Sequence, residues 1–241
     1  MIINTIGIVL KTLRYGETSI ITHIFTLDKG LKSFIVNGVR NAKAAMPLGL
    51  FQPATILHLT MYTNEHKKLL RIKEAKIYIA WQQIPFDIRR SSVALFISEM
   101  IEKTLHESEE HEALFEDVMS CLKFLDQTDS SFANLPIFFM VKLSEHYGFG
   151  PQGRFDEKHS FFDLQEGLFV AKPTSLHVLS PELSSILSQV LDKDLDDLHL
   201  LEMSRGTRRS ITEELIKYFS LHIENLPKIK SLDVFQSIME I

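Results

Sequence analysis

The sequence holds a single cysteine, Cys121, and a single tryptophan, Trp81, among 241 residues. One thiol excludes an internal disulfide and any cysteine-rich metal site. No apolar run approaches the roughly 18 residues a membrane-spanning helix needs. The N-terminus lacks the charged-then-apolar pattern of a secretory segment. A cytoplasmic protein with no membrane partner is the plain expectation. The short motifs of common catalytic sites are missing as well: no GxxxxGK[ST] phosphate loop, no GxSxG elbow, no HExxH zinc pair. Cys121 sits beside inward-facing Leu122 in a helical pattern, which marks a buried structural thiol rather than a nucleophile. His106 and His111 are five positions apart and do not share a helix face. The acidic run Asp192–Asp197 lacks the glycine turn and terminal glutamate of a calcium loop. No catalytic residue, metal site or cofactor is expected.

Charge is unevenly spread. The net value of −5 argues at first against a nucleic-acid partner. Residues 1–80, however, carry eleven Lys or Arg against four Asp or Glu, a net of +7. Residues 81–241 carry fifteen against twenty-seven, a net of −12. A basic segment fused to an acidic body points to two surfaces for two kinds of partner.

The basic segment is patterned for strands. Ile6–Leu10, Ile20–Phe25, Leu31–Val36, Thr55–Tyr62 and Leu69–Tyr78 have strand length and β-branched composition. Asp28-Lys29-Gly30 reads as a tight hairpin turn, because glycine takes the φ > 0 conformation such a turn needs. Five short strands in about eighty residues suit a small closed barrel of the OB type, an architecture that commonly binds oligonucleotides. Period-2 patterning stops at Trp81-Gln82-Gln83-Ile84-Pro85 and helical patterning follows. Asp87 is a plausible N-cap for a helix with Val93, Phe96, Ile97, Met100, Ile101 and Leu105 inward. Further helices are predicted over His111–Leu125 and Leu135–Tyr147, the latter with Pro136 in its first turn. Ser180-Pro181-Glu182 opens another that reaches Leu191. A short helix is predicted over Leu195–Met203. Thr207 or Ser210 opens one that reaches His222, and Ser231 caps a last one ending at Ile238. The fold expectation is therefore α+β: a five-stranded OB-fold barrel over 1–80, then a mostly α-helical domain over 81–241. A small irregular insert interrupts the helices at about 151–175.

The candidate interface is the basic set Lys11, Arg14, Lys32, Arg40, Lys43, Lys67, Lys68, Arg71 and Lys73, with Lys76 beside them. Lys and Arg engage phosphates electrostatically and release counterions, which gives affinity without sequence preference. Tyr15 and Tyr62 are placed to stack on unpaired bases. Arg71 and Lys73 alternate with Leu70 and Ile72, so they share an exposed strand face. A second cluster, Arg205-Gly206-Thr207-Arg208-Arg209, can contact DNA or an acidic protein segment, or can simply be a solvated helix entry.

Particular residues recur in a telling order: Tyr15-Gly16-Glu17-Thr18-Ser19, Phe25-Thr26, Gly30, Gly38-Val39-Arg40 and Gln52-Pro53. This ordered set resembles the N-terminal domain of the RecO family of bacterial recombination mediators. The layout of barrel, helical body, insert and return to helices resembles the family over nearly the whole chain. Many family members carry four zinc-binding cysteines after a Gly-Phe-x-Pro like Gly148-Phe149-Gly150-Pro151. This chain has none there, and one histidine, His159, cannot replace them. The insert is expected to hold its shape without metal, through Phe155, Phe161, Phe162, Leu164 and Phe169. The resemblance implies a non-enzymatic protein of the cytoplasm and nucleoid that binds single- and double-stranded DNA and anneals complementary strands. It also implies engagement of the C-terminal tail of single-strand-binding protein, and loading of RecA together with RecR. That tail would enter a pocket on the helical body, near the Leu135–Tyr147 helix. Two other classes stay open: a barrel-and-helix adaptor that binds only proteins, and an enzyme whose site assembles only in the fold.

Overall fold

The structure, a computed structural model, describes residues 1–41, 44–64, 67–105, 111–173 and 175–239, the last by its backbone alone. Lys43 and the histidine–glutamate run 106–110 fall outside the described residues. The chain forms two compact units. One comprises Met1–Leu122 with Ile229–Leu232, the other Lys123–Lys228 with Asp233–Ile241.

The first unit is built on five strands, β1 (Ile2–Tyr15), β2 (Ser19–Thr26), β3 (Gly30–Val36), β4 (Ile56–Tyr62) and β5 (Leu69–Ile79). They close into a barrel in the order β1-β2-β3-β5-β4. Every pairing is antiparallel except β3 with β5, the parallel seam that closes an OB-type barrel. Gly30 has φ +63°, as the Asp28–Gly30 turn requires. The interior is filled by Val9, Ile20, Ile24, Phe34, Phe51, Leu57, Leu59 and Met61, all at most 2% exposed. Gly7 also faces inward. A Cβ there would stand 2.6 Å from Ile24 Cγ2 and 2.8 Å from Leu59 Cδ1, so only glycine fits.

β1 is much longer than its apolar run, and it changes face midway. A bulge between Val9 and Lys11 shifts the register against β2. Before it, Ile3, Thr5, Gly7 and Val9 share a face with Leu57, Leu59 and Met61 of the interior. After it, Thr12 pairs with the fully buried Thr22, so Lys11, Leu13 and Tyr15 turn outward. An extra residue in one strand reverses the pleat in this way.

Part of the barrel's outer surface is also buried. Ile8, Leu10, Phe25 and Leu31 are at most 5% exposed yet lie outside the interior cluster. The Phe25 ring meets Phe115 edge-on at 5.3 Å. Phe115 lies on α2 (Glu112–Gln127), which follows α1 (Ile88–Thr104). Asp87 caps α1 as predicted, accepting the Arg89 N–H at 2.8 Å. Val93, Phe96, Ile97, Met100, Ile101 and Leu105 are all buried. At the other end of the chain, α6 (Ser231–Met239) departs from expectation. Ser231 does not cap it: its Oγ is buried with no hydrogen-bond partner among the described residues. The Glu99 carboxylate of α1 caps it instead, accepting N–H from Lys230 at 3.1 Å and from Ser231 at 2.6 Å.

Ala54, in the loop after Gln52-Pro53, has φ +65°. It is held there because its N–H donates to the Val9 carbonyl at 2.7 Å and its carbonyl accepts the Trp81 Nε1–H at 2.8 Å. A left-handed non-glycine residue costs about 1–2 kcal/mol. Ala54→Gly is therefore expected to raise stability by up to about 1 kcal/mol after the entropy cost of glycine. Thermal melting tests this, and a lowered Tm would contradict it.

The second unit holds α3 (Leu135–His146), α4 (Pro181–Leu191) and α5 (Arg205–His222), with a 3-10 turn at Leu195–Leu200. Ser180 caps α4 as predicted, accepting the Leu183 N–H. The start of α5 differs from the sequence expectation: Ser204 is its cap, accepting the Thr207 N–H at 3.0 Å, so the helix begins at Arg205. The insert carries a small antiparallel sheet in the order β7-β6-β8, made of β6 (Phe161–Asp163), β7 (Leu168–Val170) and β8 (Val178–Leu179). Phe162, Leu164 and Phe169 are buried, while Phe155 and Phe161 are partly exposed.

Candidate nucleic-acid interface

The β1–β2 turn gathers three of the predicted residues. Arg14 and Tyr15 end β1, and Tyr15 pairs with Ser19 across the turn. Arg40 reaches the same turn from the end of β3: its N–H donates to the Thr18 carbonyl at 3.4 Å and its Nη1 to the Glu17 carbonyl at 3.1 Å. Arg14 Nε donates to the Gly16 carbonyl at 3.4 Å. All three side chains are exposed, and the bonds that hold the two guanidinium groups run to carbonyl oxygens, which leave their charge unneutralised.

Arg71 and Lys73 are exposed on β5, with Leu70 and Ile72 buried between them as alternation predicts. Lys67 and Lys68 precede β5 and are exposed. Lys76 is paired with Glu74 at 2.7 Å, and hydrogen bonding from Lys76 lowers the Glu74 pKa. Lys32 shares the core-facing side of β3 with its partner Ile24 and is partly buried beside the hairpin turn.

Lys11 has a different situation. Its Nζ lies 2.9 Å from Oε1 of Glu102, on α1, and that oxygen is also 3.3 Å from His23 Nδ1. Lys103 lies 3.8 Å from the second oxygen. Hydrogen bonding from His23, then from Lys11, lowers the Glu102 carboxyl to about 2 against the opposing effect of burial. The Lys11 charge is thus matched locally by a carboxylate only 9% exposed.

The structure adds a feature that the basic residues alone do not reveal. Cross-strand partners align Leu13 with Ile21, Ile21 with Ile35, Ile35 with Arg71, Arg71 with Tyr62, and Tyr62 with Ile2. This row crosses every strand on the outward face. Leu13, Tyr62 and Ile2 are 46, 45 and 47% exposed. The signal in the sequence was there: β2 and β3 carry apolar residues on both faces, which implies that the second face is covered by something.

In the second unit the Arg205–Arg209 cluster occupies the first turns of α5. Arg208 is partly buried, with Nε donating to Asn134 Oδ1 at 2.9 Å and Nη2 to the Met203 carbonyl at 3.2 Å. Burial and the neighbouring Arg205 lower its pKa. Asn134, at the start of α3, is itself fixed by donating to the Leu198 and Leu201 carbonyls at 3.0 and 2.9 Å. Arg209 pairs with Glu213 at 3.0 Å. A cleft of about 250 Å³ is lined by Arg205, Arg208, Arg209, Thr212, Phe235 and Gln236. Among the described residues no group of three or more His, Cys, Asp or Glu is placed to hold a metal ion. None of the described helices is long and apolar enough to cross a membrane.

Two family models match the chain: recombination protein O N terminal over residues 1–80 and recombination protein O C terminal over residues 85–233. The chain belongs to the RecO family. It is 33% identical to the DNA repair protein RecO of Phocaeicola vulgatus over 239 residues, 99% of both chains. It is 32% identical to that of Bacteroides fragilis over 244 residues, covering all of both, and 31% identical to that of Flavobacterium psychrophilum over 239 residues, 99% of both. Membership of the RecO family makes this a DNA repair and recombination protein. The Tyr15–Ser19 and Gly38–Arg40 elements of the RecO pattern are the ones that meet at the β1–β2 turn.

Proposed function

We propose that this protein is a non-enzymatic recombination mediator that binds and anneals single-stranded DNA through its basic barrel. In this reading residues 1–80 are the DNA-binding domain, and 81–241, with the insert at about 151–175, the protein-docking domain. The observation that carries it is the convergence of Arg14, Tyr15 and Arg40 on one turn. Arg71, Lys73, Lys67 and Lys68 extend positive charge along the barrel. Holding strands by their backbones raises the local concentration of complementary segments, which is what annealing needs. The cleft at Arg205, Arg208 and Phe235 combines cations with an aromatic floor, which suits the acidic, apolar C-terminal tail of single-strand-binding protein. RecR, and through it RecA loading, completes the proposed partner set, with duplex DNA held by the same phosphate contacts. The protein would act in the cytoplasm, at the nucleoid.

The test is fluorescence anisotropy of a labelled single-stranded oligonucleotide against salt. With about six phosphates engaged, affinity should fall a few hundredfold between about 50 and 200 mM salt. Arg14, Arg40 and Arg71 changed together to alanine should bind at least about tenfold more weakly, with a log–log slope shallower by about 2. Lys11 is omitted from this set because its loss would strand the Glu102 carboxylate. An unchanged slope would move the site off this face, and no binding at low salt would favour a protein-only adaptor.

A further inference from the structure

A closed barrel has no free strand edge, but β5 outruns one of its neighbours and leaves one. It pairs with β3 only over Leu69–Arg71, opposite Ser33–Ile35, while its pairing with β4 continues to Ile79. From Lys73 to Ile79 no described strand pairs with the second edge of β5. Lys73, Glu74 and Lys76 are exposed there, and Ile77 and Tyr78 are 53 and 52% exposed. Beside the end of the strand opens a cavity of about 470 Å³. Ile77 and Ile79 line it together with Pro53, Trp81, Ile84 and Leu95, and no charged side chain among the described residues does. Next to its lining residue Pro85 stands Phe86, which is 85% exposed.

We infer that the β5 edge docks an extended segment of a protein partner, which seats a large apolar side chain in the cavity. Each part of that chemistry has its own source. An open edge presents N–H and C=O groups that another extended backbone satisfies in series, so the occupant is a strand. Residues two apart on an added strand share a face, so its apolar positions alternate, as Ile77 and Ile79 do at the cavity wall. Lys76 already has Glu74 at 2.7 Å, whereas Lys73 stands exposed at the far end of the edge and complements a carboxylate on the partner. A second copy of this chain fits poorly. Two β5 edges laid together would set the lysines of one copy against those of the other. The site also lies apart from the proposed DNA face: Ile77 is six residues beyond Arg71, roughly 20 Å along the strand. It does not depend on the DNA-binding reading.

The test pans a phage-displayed library of random peptides, each of about ten residues, against the full-length protein. Selected peptides should carry alternating apolar residues and a carboxylate, and should bind in roughly the micromolar range. Trp81 is the only tryptophan of the chain and lines the cavity, so each synthesised peptide should shift its emission to shorter wavelength. Methylating two alternate amide nitrogens of a peptide should weaken binding about tenfold, since it removes two backbone hydrogen bonds. Leu95→Lys, which brings a charge to the apolar cavity, should weaken it at least about tenfold. Ile77→Asp provides a second variant, and a thermal melt checks that both are folded. Oligothymidylate should leave the peptides in place. Failure to enrich such peptides would overturn the proposal, as would peptides indifferent to methylation and to both folded variants. Displacement by oligothymidylate would make the edge part of a DNA surface instead. Dimers of the protein alone that Leu95→Lys dissolves, seen by sedimentation velocity, would give the edge to a second copy and equally sink it.

Discussion

Changing Tyr218 to alanine is expected to destabilise the second unit by about 3–5 kcal/mol, the range for removing a large buried aromatic side chain. Tyr218 is completely buried, and its ring meets Phe149 and Phe162 edge-on at 5.5 and 5.6 Å. Its hydroxyl donates to the Phe149 carbonyl, and burial raises its pKa, so the proton stays on. Gly167, in the turn between β6 and β7, has φ +69°, and a Cβ there would stand 2.8 Å from the Tyr218 hydroxyl. His222, one turn further along α5, stacks on Phe149 at 4.8 Å, and its Nε2 lies 2.9 Å from the Leu164 carbonyl. Ser184 of α4 accepts the Phe162 N–H at 2.8 Å. These contacts pin the insert to the helices from several sides. Tyr218→Phe keeps the ring and strands the Phe149 carbonyl, so a loss of about 1–3 kcal/mol is expected. Urea unfolding of both variants checks these values. Dialysis against a chelator should leave the wild-type midpoint in place. A fall in the midpoint on chelation, or stoichiometric zinc after dialysis, would contradict an aromatic anchor.

The second large effect is expected at Glu102. Its folded pKa of about 2 lies below the ordinary value of 4.5. A depressed carboxylate pKa contributes stability above the unfolded value, and that contribution disappears as pH falls from about 4.5 through about 2. The magnitude is at most about 3 kcal/mol, less whatever solvent screening takes from the half-exposed Lys11. Glu102→Gln should therefore be less stable than wild type at neutral pH, and the two should converge near pH 2. Urea midpoints measured from pH 7 to 2.5 test this. Parallel curves across that range would mean that the carboxylate contributes through packing alone. The same variant releases Lys11 from its partner, so on the DNA reading its affinity for a single strand should rise slightly rather than fall.

Much of the barrel was legible because its determinants are local. Gly30 announces the hairpin, and the β-branched runs of β2 and β3 mark their own extents to within a residue or so. The caps Asp87 and Ser180 were equally plain, since each precedes a periodic run with its polar oxygen in place. The misses are non-local. Lys11-Thr-Leu-Arg-Tyr15 is too polar to announce a strand, yet its pairing with β2 extends β1 through it. Lys11 read as a free phosphate ligand because its partner lies 91 positions away. The cap of α6 comes from Glu99, on another helix, so Ser231 was credited with a role that its sequence position suggested and its burial denies it. Three-residue strands such as β6 and β7 are too short to show any period, so the insert's sheet had no signal to give.

The short return of the chain at Ile229–Leu232 has a consequence for synthesis. The ribosome finishes the barrel, α1 and the start of α2 by Leu122, but Glu99 receives its two backbone N–H partners only when Lys230 and Ser231 emerge. At bacterial elongation rates the interval is roughly 5–20 s. For that time the nascent unit carries a carboxylate waiting for its donors and a site for Ile229, which is 2% exposed in the finished protein. The first unit thus reaches its full stability only once residues 229–232 are added, and a chain released before them would carry a complete barrel with an unfinished closure.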